Sequence, residues 1–170
     1  MPETNPGHAS QAINPEHTKA LMALLNSCPY YQLLGMELRE VGVGYAKLVA
    51  HMRPEHLNPM GSVHGGAYSS MLDTATIWST YYELEEGAGL TTIDLSVNFL
   101  SAAREGLIYV EAHSIKVGRS ICLAEAYARD ENGKLLAQCV AKLMVLQGRS
   151  NLDTVVKRLG DGPLPPRYLD

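Results

Sequence analysis

The residues best suited to chemistry lie in one stretch, Asn58-Pro59-Met60-Gly61-Ser62-Val63-His64-Gly65-Gly66, and at Asp73, eight residues after Gly65. Two glycines after a histidine let backbone come close to a ligand. Behind them Tyr68, Met71, Leu72, Ala75 and Trp78 recur at helical spacing, which predicts a helix from this stretch to about Tyr82. A helix that opens on Gly65-Gly66 presents free N–H groups and the positive end of its dipole. Such a place holds an oxygen that is negative or becomes negative in a reaction. Asp73 falls inside the same helix, where a carboxylate among apolar and small residues calls for a reason. His64 taken alone reads as a core histidine, Asp73 as an acceptor for Ser69 or for a neighbouring subunit, and Asn58 as a brace of its loop. Their combination favours a site.

The elements that must position these residues follow from period and punctuation. Asn14-Pro15 is a helix start, with Leu21, Leu24 and Leu25 at helical spacing and Pro29 as the stop. Tyr30 to Leu34 reads as a turn-like apolar segment. Met36 to Tyr45 reads as extended chain broken near Gly42 and Gly44, and Ala46 to Met52 as a strand. Pro54 and Pro59 bracket the loop that delivers Asn58. On the predicted helix, Tyr68, Met71, Ala75, Trp78 and Tyr82 form the core face. Gly66, Ser69, Asp73, Thr76 and Thr80 form a second face, small and hydroxyl-bearing, which suggests cover by another element such as a second subunit. About twenty residues would make this helix about 30 Å long. Four strands follow, Leu90–Leu100, Leu107–Val117, Ile121–Arg129 and Leu135–Leu146, with Asn132-Gly133 as a two-residue hairpin turn. Asn151 to Leu159 reads as a short helix, and Gly162-Pro-Leu-Pro-Pro as extended. The order is α+β, a single antiparallel sheet wrapped around one long central helix.

Composition narrows the function classes. The chain has 170 residues, enough for one domain, and a formal charge of −4. Its fourteen basic residues are scattered, which argues against a nucleic-acid partner. Cys28, Cys122 and Cys139 match no zinc or redox spacing and read as reduced packing residues; no metal site is expected. The N-terminus lacks a signal pattern and no apolar run reaches the ~18 residues of a membrane span, so no membrane partner is expected and the expected compartment is the cytoplasm. Residues 1–13 are polar and are assigned no structure.

The string Asn58-x-x-Gly61-x-x-His64-Gly65-Gly66, followed by Asp73, resembles the hotdog-fold acyl-CoA thioesterases, most closely the phenylacetate-degradation branch related to 4-hydroxybenzoyl-CoA thioesterases. Leu34-Gly35-Met36, Pro54 to Pro59, Thr92-Ile-Asp-Leu-Ser-Val-Asn-Phe99, Gly118-Arg119 and Asn132-Gly133-Lys134 extend the likeness over residues 29–147. Residues 1–28 are then an N-terminal extension with one short helix, and 148–170 a C-terminal tail. The resemblance implies a hotdog fold and hydrolysis of a thioester between coenzyme A and a carboxylic acid. It implies a homo-oligomer, a dimer or dimer of dimers, with sites between subunits and no cofactor beyond the coenzyme A of the substrate. It assigns the Gly65 N–H to the thioester carbonyl. Asp73 of a neighbouring subunit becomes nucleophile or general base, and Asn58 and His64 lie near the carbonyl or the attacking water. Thr92 stands where some relatives hold that water with a serine. Gly66 and Arg119 belong to substrate binding, Arg119 toward a coenzyme A phosphate or simply solvated at a strand end. A coenzyme A thiolate leaves readily, so an oxyanion site and one carboxylate suffice.

Some relatives have glutamate in place of Asp73 and a serine one turn on, where this chain has Ile77; the aspartate branch fits better. Two rivals share the fold. An enoyl-CoA hydratase needs a histidine at a position after Asn58-Pro59 where none occurs. An acyl-CoA sensor should lack the acid and carry a DNA-binding domain.

Overall fold

The computed structural model describes residues 12–148, 151–160 and 162–169; the polar segment 1–11 lies outside them. The elements run α1 (Pro15–Asn26), α2 (Pro29–Leu33), β1 (Met36–Gly42), β2 (Tyr45–Met52), α3 (Gly65–Ser79), β3 (Gly89–Phe99), β4 (Gly106–Val117), β5 (Ile121–Asp130), β6 (Leu135–Leu146) and α4 (Asn151–Leu159). The six strands form one antiparallel sheet in the order β1-β2-β4-β5-β6-β3, curled around α3.

The inner face of the sheet explains how a helix fits so close. Ala46, Ala50, Ala112, Ala124, Ala126, Ala128, Ala137 and Ala141 all point inward and are fully buried. A row of methyl groups lets the backbone of α3 approach, and Leu48, Ile108, Val110, Met71 and Leu72 fill the remaining space. Inward Cys122 and Cys139 belong to the same packing. Burial raises both thiols, Cys139 to about 11, so they are held protonated.

Four expectations are corrected. The central helix ends at Ser79, not Tyr82, and its 15 residues make it about 22 Å long. Tyr81–Glu83 forms a separate tight turn that buries Tyr82, so the apolar rhythm continues after the helix has stopped. Thr76 and Thr80 are 0% exposed within one chain, which removes them from any face left for a second subunit. Tyr30 to Leu34 forms most of a short helix rather than a turn, started by Pro29 at its first position. The β5–β6 turn is longer than two residues: Asp130 Oδ1 accepts from Asn132 and Lys134 N–H, with Gly133 at φ +79°.

β3 has no hairpin to β4. Residues 100–105 carry the chain across to β4; β3 pairs with β6, and among the described residues no strand pairs with its other edge. Between Thr92 and Asp94 the register slips by one, so Ile93 bulges out and is exposed.

The two ends of the described chain close on one spot. Asn14 caps α1 through Glu16 N–H and donates from Nδ2 to Pro166 O. Arg167, 7% exposed, donates to the carbonyls of Leu84 and Tyr81 and stacks its guanidinium 4.3 Å from the Tyr81 ring. His17 donates Nδ1–H to Pro165 O at 2.7 Å and accepts from Tyr81 Oη at 2.8 Å. Burial raises the Tyr81 phenol, which keeps it a donor. Arg167→Ala would take the Arg167 donor from the Leu84 carbonyl and leave Tyr81 O with the long bond from Leu84 N–H at 3.4 Å; it should cost about 2 kcal/mol, read as a lower midpoint in urea unfolding.

Candidate active site

Most of α3 is enclosed. Only Gly65, Gly66, Ser69, Ser70, Asp73, Ile77 and Trp78 stay wholly or partly open, and all but Trp78 form a narrow stripe. The hydroxyls of Ser69 and Ser70 turn back onto the carbonyls of Gly65 and Gly66, at 3.0 and 2.9 Å, so the stripe is small and internally satisfied. α2 flanks it on one side, with Tyr30 Oη 2.6 Å from Ser70 Oγ and Tyr31 Oη accepting from Trp78 Nε1 at 3.0 Å. β3 flanks it on the other, where Thr92 Oγ1 donates to Asp73 Oδ1 at 2.7 Å.

Asp73 therefore has a polar partner in its own chain. The bulge at Ile93 turns Thr92 inward toward it, while Tyr31 and the Cys139 thiol also lie within reach of its charge. The second carboxylate oxygen has no partner among the described residues.

The loop before α3 is built by Asn58. Its Oδ1 accepts from Met60 N–H at 2.9 Å and Ser62 N–H at 3.2 Å, and its own N–H donates to Ser62 O at 2.7 Å. Gly61 takes φ +75° inside this turn, a conformation that favours glycine. The oxygen of Asn58 is thus committed to bracing, which leaves Nδ2 as the group that could meet a ligand. His64 is the N-cap of α3: its Nδ1 accepts from Gly66 N–H at 2.8 Å. That bond fixes the neutral tautomer with the proton on Nε2, directed away from the cap. It also occupies the Gly66 N–H, so Gly66 contributes close approach rather than a free donor. The Gly65 N–H, at the first helical position, has no acceptor among the described residues. The Phe99 ring packs over Gly65; a β-carbon there would meet it at 3.1 Å.

Arg119 lies in the β4–β5 turn with its side chain exposed and its carbonyl accepting from Gln147 Nε2 at 3.3 Å. The sheet row Thr92–Leu143–Cys122–Val117 puts this turn near the Asp73 end of the sheet. Asn58, His64 and Gly65 gather at the other end of α3. Eight residues at the helical rise separate Gly65 from Asp73 by about 12 Å. One chain therefore brings the expected residues together in two groups, not one.

Sequence reasoning gave no role to His56. It is buried and its ring binds Leu33, 23 residues back, a partner that no local pattern identifies. Among the described residues no group of three or more His, Cys, Asp or Glu is placed to hold a metal, and no helix is long and apolar enough to cross a membrane.

This combination of a curled sheet, an enclosed helix and an open N–H beside a glycine pair has clear relatives. The sequence profile of the Thioesterase superfamily matches residues 60–137. A solved phenylacetic acid degradation-related protein of Ralstonia eutropha JMP134 is 30% identical, covering 73% of this chain and 97% of that one, with a TM-score of 0.65. A thioesterase of Haemophilus influenzae superposes with a TM-score of 0.71 at 25% identity, over 79% of this chain and 93% of that one. Human acyl-coenzyme A thioesterase 13 is 25% identical over 124 residues, 71% of this chain and 87% of its own length. The chain belongs to the hotdog-fold thioesterase superfamily. Its relatives support thioester hydrolysis as the general reaction class.

Proposed function

We propose that this chain hydrolyses an acyl-coenzyme A to free acid and coenzyme A, at a site shared by two copies of itself. The observation that carries the reading is the open stripe of α3, with an uncommitted N–H at its start and a Thr92-held carboxylate eight residues on. Relatives named as thioesterases support it.

The spacing itself calls for two subunits. No single carbonyl and attacking water can span about 12 Å. β3 offers the solution, because no described strand pairs with its outer edge and Ile93, Phe99 and the following Leu100 are exposed there. Two copies paired antiparallel about the middle of β3, near Ser96, would set Thr92 of one copy opposite Leu100 of the other. Asp73 of one copy would then face the Gly65 N–H of the other, across the Phe99 ring. Two such sites arise from one two-fold axis, and two such pairs make the dimer of dimers.

In this arrangement the thioester carbonyl accepts from Gly65 N–H at the positive end of α3. Asp73 takes a proton from water as the water oxygen bonds to the carbonyl carbon. The carbon–sulfur bond then breaks, the thiolate leaves, and the acid remains. Thr92 holds the carboxylate by donation and can receive a hydrogen bond from the water. Asn58 Nδ2 and His64 Nε2–H donate toward the carbonyl or the water, and Arg119 contributes charge for a phosphate. Direct attack by Asp73 on the carbonyl, through a mixed anhydride, uses the same residues.

Release of thiol from a panel of phenylacetyl-, benzoyl-, short- and medium-chain acyl-CoAs tests the reaction. Silence across the panel, with binding still seen by calorimetry, would favour an acyl-CoA sensor. Thr92→Val should lower kcat about tenfold to a hundredfold, the worth of a hydrogen bond to a charged group, while Thr92→Ser retains activity. Equal kcat in both variants would remove Thr92 from the site.

A further inference from the structure

Of the groups that the proposed reaction leaves without a role, His56 is the most constrained. It is 5% exposed; its Nδ1 faces a backbone donor, its Nε2 lies closest to a backbone acceptor, and Arg53 Nη2 stands farther from Nε2 at 3.5 Å. Nδ1 accepts from Arg53 N–H at 3.1 Å, and Nε2 lies 2.9 Å from Leu33 O, which can only accept. The ring is therefore neutral, with its proton on Nε2. A third bond runs from His64 N–H to the His56 carbonyl at 2.9 Å. One residue thus joins the entry of the loop, the last residue of α2 and the cap of α3. Arg53 reinforces it, with Nη2 donating to Gln32 O at 3.2 Å and Leu33 O at 2.6 Å.

α2 has five residues and does not hold its position through its own hydrogen bonds. Yet it carries Tyr30 against Ser70 and Tyr31 against Trp78, the wall beside Asp73. Tyr30 and Leu33 present exposed apolar surface there. We propose that His56 is a positioning residue that latches α2, which flanks the open stripe of α3 where the acyl chain would lie, to the loop presenting His64 and Gly65. The place of α2 beside that stripe is then set by the same ring that fixes the loop. The kinetic part of this inference rests on the thioesterase reading; the structural part does not.

Two substitutions divide the ring's bonds. An asparagine amide oxygen lies near Nδ1 and a glutamine amide nitrogen near Nε2. His56→Asn keeps the acceptor for Arg53 and loses the donor to Leu33, and His56→Gln does the reverse. His56→Asn should raise KM for phenylacetyl- and medium-chain acyl-CoA about tenfold, with little change for acetyl-CoA, and His56→Gln should restore the wild-type profile. Trp78 is the only tryptophan and reports α2 through Tyr31, so its emission should shift to the red in His56→Asn alone. Both variants behaving alike, in selectivity and in emission, would overturn the latch and leave a packing histidine. Wild-type behaviour in His56→Asn would overturn it too. If the wild type releases no thiol from any acyl-CoA, the thioesterase reading falls, and Trp78 emission by itself decides the latch.

Discussion

Asp73→Asn should lose about three orders of magnitude in kcat, the middle of the range for loss of a general base. The substitution keeps the volume of the side chain and keeps an oxygen for Thr92, whose Oγ1 donates at 2.7 Å. The fold and the assembly should therefore survive, and KM should change little. What goes is the negative charge that takes a proton from water or attacks the carbonyl. Thiol release measured beside sedimentation checks both halves. A variant with the native mass in solution and more than a tenth of native turnover would show that Asp73 is not the reacting acid. A variant that falls apart would make it a structural residue.

Gly65→Pro is the sharper test of the other group. Proline is accepted at the first position of a helix, where its missing N–H is unpaired in any case. The residue before a proline must be extended, and His64 already is, at φ −65° and ψ 138°. The ring would press on Phe99, which is exposed and can yield. So the substitution deletes one N–H with little cost to the helix, and kcat should fall about 10²- to 10³-fold, as for loss of one oxyanion donor. Mixing the two inactive variants then tests the shared site. In a mixed pair one site carries both lesions and the other none, so random exchange should restore about a quarter of native activity. No recovery, with exchange of subunits demonstrated, would place both groups in one chain.

The sequence carried much of this in local form. The change of period at Met36, the helical spacing from Tyr68 to Trp78 and the alternation in the later strands located the start of β1 and both ends of the other five strands within one residue, while the first extended run was carried three residues past the end of β1 at Gly42. Asn14-Pro15 gave the start of α1, because capping and proline preferences act within a single turn. His64-Gly65-Gly66 gave the start of α3 for the same reason. The end of α3 was not legible. Tyr81 and Tyr82 prolong the apolar rhythm although Thr80 already caps the helix, and packing against Arg167 and His17 decides where they lie. The covered face was overdrawn likewise, since spacing says which residues share a side but not which strand covers them.

By itself, then, the sequence determined the elements, the acid at a set distance from a glycine-opened helix, and the family likeness. These are properties of residues within a few turns of one another. The tertiary structure decided the rest. It put β3 at the sheet edge rather than beside β4, bonded Thr92 to Asp73 across 19 residues, and committed the Gly66 N–H to His64 so that Gly65 holds the open donor. It also wired His56 to Leu33 and brought the chain's described ends together over Tyr81. Each of these depends on where a distant backbone carbonyl or strand edge comes to lie, and that position is set by the packing of the whole sheet around α3.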